Sequence, residues 1–184
     1  LSQEEIAVMA RRQIRVAHCP FSNCGKGVPP TPQLLAAGVP VGLGTDGSAH
    51  GGLDLFREMR LFRGVMNATR GVGTADSSVM PAETLLAMAT QGGGAALMEP
   101  GLGRIEVGAP ADLIAVDTGA PHLWPTQNLV HTLVESASGA DVRHSIVNGK
   151  LLMKNRELLS VDADRVRWEA ERLFEKQPWL QSWK

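Results

Sequence analysis

Two stretches decide the fold: IRVAHCPFSN at 14–23 and VPVGLGTDG at 39–47. Each is a short, almost wholly apolar run that stops abruptly at proline or glycine and is followed at once by small polar side chains. Ile14 to Ala17 reads as a buried strand ended at His18-Cys19-Pro20, because proline cannot donate to a central ladder. A glycine- and proline-bearing loop follows (Gly25, Gly27, Pro29, Pro30, Pro32), then a helix over Gln33 to Ala37, stopped by Gly38. Val39 to Leu43 is a second strand, cut off by Gly44 with Thr45, Asp46 and Gly47 beyond it. Upstream, Leu1 to Arg12 predicts a helix opened by a Ser2…Glu5 capping box. Downstream, apolar residues at 53, 55, 56, 59, 61, 62, 65 and 66 mark a helix over Leu53 to Met66.

Helix, strand, helix, strand, helix with strands apolar throughout is the pattern of parallel β/α units covered on both faces. The fold class expected is therefore α/β. A closed (β/α)₈ barrel takes ~250 residues, so the first 100 residues supply only about two of its eight units. After Pro100 the character changes. Ala111 to Val116 reads as a strand, Asn128 to Ala137 as a helix, and Arg143–Val147 with Leu151–Met153 flanks Asn148-Gly149, a strong two-residue hairpin signal. Before that change, Pro81 opens another helix, which the Gly92-Gly93-Gly94 run is expected to break, leaving a remnant over Ala95 to Met98. Val161 to Lys176 predicts a terminal helix stopped by Pro178. Two segments follow: 1–100, part of a β/α assembly, and 101–184, a small accessory β segment with terminal helices.

Composition sets the outer limits. The chain has 184 residues, with 18 Lys plus Arg against 19 Asp plus Glu and 43% hydrophobic residues, which is ordinary for a globular domain. A formal charge of -1 gives no cationic field for nucleic acid or an anionic membrane surface. No apolar stretch approaches the ~20 residues that span a bilayer, and the first residues lack the basic and apolar regions of a secretory leader. Two cysteines, Cys19 and Cys24, are too few for a disulfide framework or a Cys-rich zinc site; they read as small buried residues in a reducing cytoplasm.

Polar residues placed just after buried parallel strands face the mouth where ligands bind. Two clusters qualify. His18 to Asn23 offers an imidazole, the Ser22 hydroxyl and the Asn23 amide to a small polar ligand, and serves equally as a loop stitched by its own side chains. Asp46 leaves its strand between glycines that admit a ligand or metal, and serves equally as a turn former. Zinc in a catalytic site requires three protein ligands, and His122, His131 and His144 show no ligand-like spacing. Those three read as surface or satisfied histidines, and His50, between Ala49 and Gly51, as solvated.

In combination, HCPFSN (18–23), LLAAGVPVGLGTDG (34–47) and LDLFREM (53–59) resemble the amidohydrolase superfamily. The similarity is nearest its aminohydrolase and chlorohydrolase branch, which includes S-adenosylhomocysteine and methylthioadenosine deaminases and the triazine hydrolases. GRIEVGAPADLI (103–114) and VNGK (147–150) resemble the segments by which such proteins return from barrel to β-sandwich, so the similarity covers nearly the whole chain. The loops after Asn23 and after Asp46 are shorter than in common members.

The resemblance implies the C-terminal portion of a metal-dependent hydrolase: the last two units of a (β/α)₈ barrel, a small β sandwich segment and a terminal helix. It places His18–Asn23 after the seventh strand and Asp46 after the eighth, where Asp46 binds the metal and takes a proton from the attacking water. His18 is then a second catalytic candidate, with Ser22 and Asn23 binding a purine-like or triazine-like ring. The implied cofactor is a divalent metal, zinc or alternatively iron, whose remaining ligands (a His-x-His pair, a later histidine) lie outside this chain. Alone, the chain is expected to be inactive. Homo-oligomerisation or association with an N-terminal portion is expected, and a non-catalytic assembly fragment pairing through an open sheet edge is the alternative.

Overall fold

The computed structural model describes residues 1–47, 52–99 and 101–176. His50 lies outside the described residues. Two compact units emerge, one made of 1–110 and 117–141, the other of 111–116 and 142 onward.

The first unit begins with α1 (Gln3–Arg11), whose Ser2 hydroxyl accepts from the Glu5 amide while the Glu5 carboxylate accepts from the Ser2 amide, the reciprocal box expected from sequence. β1 (Val16–His18) follows, then α2 (Pro20–Asn23) and α3 (Thr31–Ala36), and β2 (Val41–Leu43) pairs with β1 in parallel, Val16 opposite Val41 and His18 opposite Leu43. The stretch after Pro20 is thus helical for one turn where a loop was expected, because proline suits the first turn of a helix, where its missing N–H costs nothing. α4 (Leu55–Met66) is capped by Asp54, whose carboxylate accepts from the Phe56 and Arg57 amides. It runs on through a π-helical turn over Asn67–Gly71 into α5 (Val72–Thr74), and α6 (Ala82–Ala89) and α7 (Gln91–Ala96) follow.

Val41, Leu43, Met59, Phe62, Met66, Leu85 and Met88 form the centre of the core, sealed by Leu34, Ile6 and Val134. The triple glycine does not break the chain as expected. It lies inside α7, because there the helix presses on the sheet: a Cβ on Gly92 would sit 2.6 Å from the Val41 carbonyl oxygen, and one on Gly42 would sit 3.0 Å from the Gly93 Cα. A loss of helix propensity of up to ~1 kcal/mol per glycine is the cost of that approach. α8 (Leu129–Glu135), capped by the Asn128 side chain, packs on α4 and α6.

The second unit is an antiparallel sheet in the order β3 (Leu113–Val116), β4 (Val142–Val147), β5 (Lys150–Lys154), β6 (Glu157–Leu158), with α9 (Ala163–Glu175) after it. Asn148 and Gly149 both have positive φ, 48° and 75°, as the two-residue turn between β4 and β5 demands. No helix among the described residues is long and apolar enough to cross a membrane.

Candidate functional site

β1 and β2 end side by side, and the Gly44 amide donates to the His18 carbonyl at 2.9 Å, so the chain segments beyond both strands start from one place. There the Ser22 hydroxyl donates to Asp46 Oδ2 at 2.6 Å, and the Gly47 amide donates to Oδ1 at 2.8 Å. Asp46 is exposed, yet both carboxylate oxygens are held, and its backbone takes φ 59°. Aspartate tolerates that left-handed conformation better than most residues, but it remains uncommon outside glycine and aims the side chain where a strand residue would not. Ser22 is buried at 5% exposure, so its hydroxyl serves Asp46 rather than solvent.

His18 and Asn23 form a second pair. The His18 ring is buried, 4.6 Å from the Phe62 ring centroid, and hydrogen-bonded to the Asn23 side chain. Burial pushes its pKa below the ordinary histidine value, partly countered by the Asn23 bond, which favours the charged form. A cavity of about 360 Å³ opens beside it, lined by His18, Cys24, Lys26, Val28, Phe62 and Val65. The four site residues read from the sequence thus fall into two bonded pairs, Ser22 with Asp46 and His18 with Asn23. Cys24 corrects the reading of both cysteines as buried: it is exposed at the end of α2, and Cys19 is half-buried.

Glu58 was not singled out in the sequence. It is 3% exposed and its Oε2 accepts from the Phe21 amide at 2.8 Å. The signal was available: Glu58 stands in register with Phe62 and Met66 at i, i+4, i+8, a carboxylate on the buried face of an apolar stripe. Elsewhere, His122 Nε2 meets the buried Asp141 carboxylate at 3.1 Å, a satisfied histidine in keeping with its reading. Among the described residues no group of three or more His, Cys, Asp or Glu side chains is placed to hold a metal ion. Asp46 fits such a site as one oxygen donor, and the described residues do not furnish the rest.

Comparison with known proteins bears on this arrangement. The model of the amidohydrolase family matches residues 1–152. Among curated relatives, the 5-methylthioadenosine/S-adenosylhomocysteine deaminase of Haloquadratum walsbyi is 43% identical over 175 residues, covering 93% of this chain and 38% of that protein. The enzyme of the same name from Moorella thermoacetica is 44% identical over 170 residues, covering 90% and 39%. The chain therefore spans about two fifths of the length of these relatives. A solved adenosine deaminase from Xanthomonas campestris with bound zinc superposes with a TM-score of 0.89 at 32% identity, over 99% of this chain and 41% of its own. An atrazine chlorohydrolase from Arthrobacter aurescens complexed with zinc superposes at 0.81 with 27% identity, over 94% and 38%. With the family model matching most of its length, the chain belongs to the amidohydrolase family.

Proposed function

We propose that these 184 residues are the C-terminal part of a metal-dependent hydrolase that deaminates or dechlorinates a purine-like or triazine-like ring. β1 and β2 are then the last two strands of a (β/α)₈ barrel, residues 1–100 its final units, and 101–184 the accessory β segment with its terminal helices. The observation that carries the reading is Asp46 at the end of β2, both carboxylate oxygens engaged, in a chain of this family. Deaminases and a chlorohydrolase among its relatives support the two leaving groups.

Asp46 would supply one oxygen ligand to a divalent cation, zinc or alternatively iron, whose other ligands lie outside the described residues. When bound, such a cation would supply Lewis acidity and lower the pKa of a water beside it toward neutrality. The Asp46 carboxylate would take a proton from the water as its oxygen bonds to the ring carbon and pass it to the amino group as the C–N bond breaks, giving ammonia. Where the C–Cl bond breaks instead, chloride leaves with the electron pair and Asp46 returns the proton to solvent. His18, Ser22 and Asn23 border the ring, with His18 neutral. The missing ligands leave the chain alone without turnover, and its two free thiols suit a cytoplasmic home.

The test is made on the protein translated from the whole reading frame that contains Leu1–Lys184. Loaded with zinc, it should release ammonia from methylthioadenosine or S-adenosylhomocysteine, or chloride from a chlorotriazine. Asp46→Asn should abolish release, and residues 1–184 alone should give none. Full activity in Asp46→Asn, or stoichiometric zinc and turnover in the isolated chain, would sink the proposal.

A second reading, a non-catalytic piece that assembles through sheet edges, is favoured by the two-stranded parallel sheet, whose strands pair with nothing further among the described residues. Light scattering decides it: a stable monomer counts against association.

A further inference from the structure

Asp46 is not held by its own loop alone. Ser22 sits on α2, a four-residue helix with no side-chain cap of its own. That helix is gripped from outside by two consecutive residues of α4: the Glu58 carboxylate accepts from the Phe21 amide at 2.8 Å, and the Arg57 guanidinium lies 4.5 Å from the centre of the Phe21 ring. The residue next to Phe21 delivers its hydroxyl to Asp46 Oδ2 at 2.6 Å. Both Glu58 and Ser22 are almost fully buried, so water does not substitute readily at either bond.

We infer that Glu58 and Ser22 are positioning residues that act as a strut: α4 fixes α2 through the Phe21 amide, and α2 fixes the Asp46 carboxylate through Ser22. The inference rests on the reading of Asp46 as a metal ligand. Its physical content is that a carboxylate exposed at the end of a strand has several rotamers, and the observed one brings Oδ2 to the Ser22 hydroxyl. A hydrogen bond to the second oxygen selects that rotamer before any cation arrives, the role that outer partners play for metal-bound carboxylates generally. Glu58, though nowhere in contact with Asp46 in the bonds described, sets where Ser22 stands.

The experiment uses the protein of the complete reading frame and reads two quantities, hydrogen exchange at the Phe21 amide and zinc affinity by chelator competition. Glu58→Ala should speed exchange at Phe21 and raise the zinc dissociation constant about 10- to 100-fold. Glu58→Gln, which keeps an oxygen acceptor, should recover affinity to within about fivefold of the parent. Ser22→Ala should weaken zinc binding while the Phe21 amide stays protected, and Ser22→Thr, which keeps the hydroxyl, should restore it. Glu58→Asp, one methylene short but still charged, gives the same reading as Glu58→Ala if the alanine variant does not fold. Asp46→Asn is run alongside. Zinc affinity indifferent to Asp46→Asn overturns the metal reading and this inference with it. Affinity that responds to Asp46→Asn but to neither Glu58→Ala nor Ser22→Ala overturns the strut alone, and Glu58→Gln as damaging as Glu58→Ala does the same.

Discussion

The two units differ in what holds them. Among the described residues, all of the buried hydrophobic ones, Phe62, Leu34, Met66 and Leu85 among them, lie in the first unit, and none in the second is buried. There Ile114, Val147, Leu151 and Leu158 on the sheet, with Val166, Leu173 and Phe174 on α9, are exposed. The β/α part therefore gains from apolar burial at roughly 25 cal/mol per Å². The antiparallel part adds only half-buried apolar residues such as Leu113, Ile146 and Leu152 to its ladder hydrogen bonds and a favourable turn, and the hydrogen bonds net little once exchange with water is counted. A side chain's value in this molecule is set by which unit it belongs to, and the following substitutions put that contrast at risk.

The largest effect is expected at the centre of the core. Phe62 is 1% exposed and packs against the His18 ring, so Phe62→Ala should cost about 3–5 kcal/mol in urea unfolding. Ile114 on β3 is 56% exposed, and Ile114→Ala should stay within about 1 kcal/mol of the parent. Equal losses at the two positions would erase the distinction. In the same sense, amides of α4 and β2 should exchange far more slowly than those of β4 and β5.

α7 sharpens the point within one helix turn. Gly92→Ala places a methyl 2.6 Å from the Val41 carbonyl oxygen, and should destabilise by about 1–3 kcal/mol. Nothing lies within 4 Å of a Cβ on Gly93, and Gly93→Ala should stabilise by up to ~1 kcal/mol through helix propensity. Opposite signs at adjacent residues, read from urea midpoints, are the expected outcome; two stabilising alanines would mean that α7 does not press on β2.

Those glycines also show what a sequence displays and what it withholds. Local devices were readable, because their chemistry lies within a few residues: the Ser2–Glu5 box and the Asn148-Gly149 turn, and, one element at a time, the apolar patterns whose succession gives helix alternating with strand. Gly92-Gly93-Gly94 looked like a break because a glycine's local cost is visible in sequence and the strand it approaches is not. The π-helical turn at Asn67–Gly71 has no side-chain period of its own to betray it. At the site, the residue types at 18, 22, 23 and 46 were legible. Their pairing was not, since the Ser22–Asp46 bond spans 24 positions and depends on how β1 and β2 end together.

Capping gives a smaller effect. Asp54 serves twice, its Oδ1 accepting from the Phe56 amide at 2.9 Å and its Oδ2 from the Gly139 amide at 3.0 Å. Asp54→Ala should cost about 1–2 kcal/mol, since it removes a cap and a tie between distant segments of the first unit. Asp162 caps only α9, through the Arg165 amide at 2.9 Å, and α9 buries nothing. Asp162→Ala should therefore lower α9 helicity by circular dichroism and leave the urea midpoint of the first unit within about 0.5 kcal/mol.

The smallest expected effect is a dependence on pH that belongs to the first unit. Burial beside Phe62 holds the His18 pKa below its ordinary 6.5, so between that value and the lowered one the unfolded chain binds the proton and the folded chain does not. Stability from this residue is then fully present above about pH 6.5 and is lost as pH falls below it toward the lowered value. Asp141 titrates elsewhere: burial raises its pKa, but bonds from His122 and Ser138 outweigh burial and hold it below 3.8, so its contribution is lost only in stronger acid. Urea midpoints at pH 7.5 and 5.0 should fall further for the parent than for His18→Gln, which does not titrate there and still offers an amide to Asn23. An identical fall in both would show that the imidazole is not held neutral against Phe62, and that the wall shared by the core and the 360 Å³ cavity is wet.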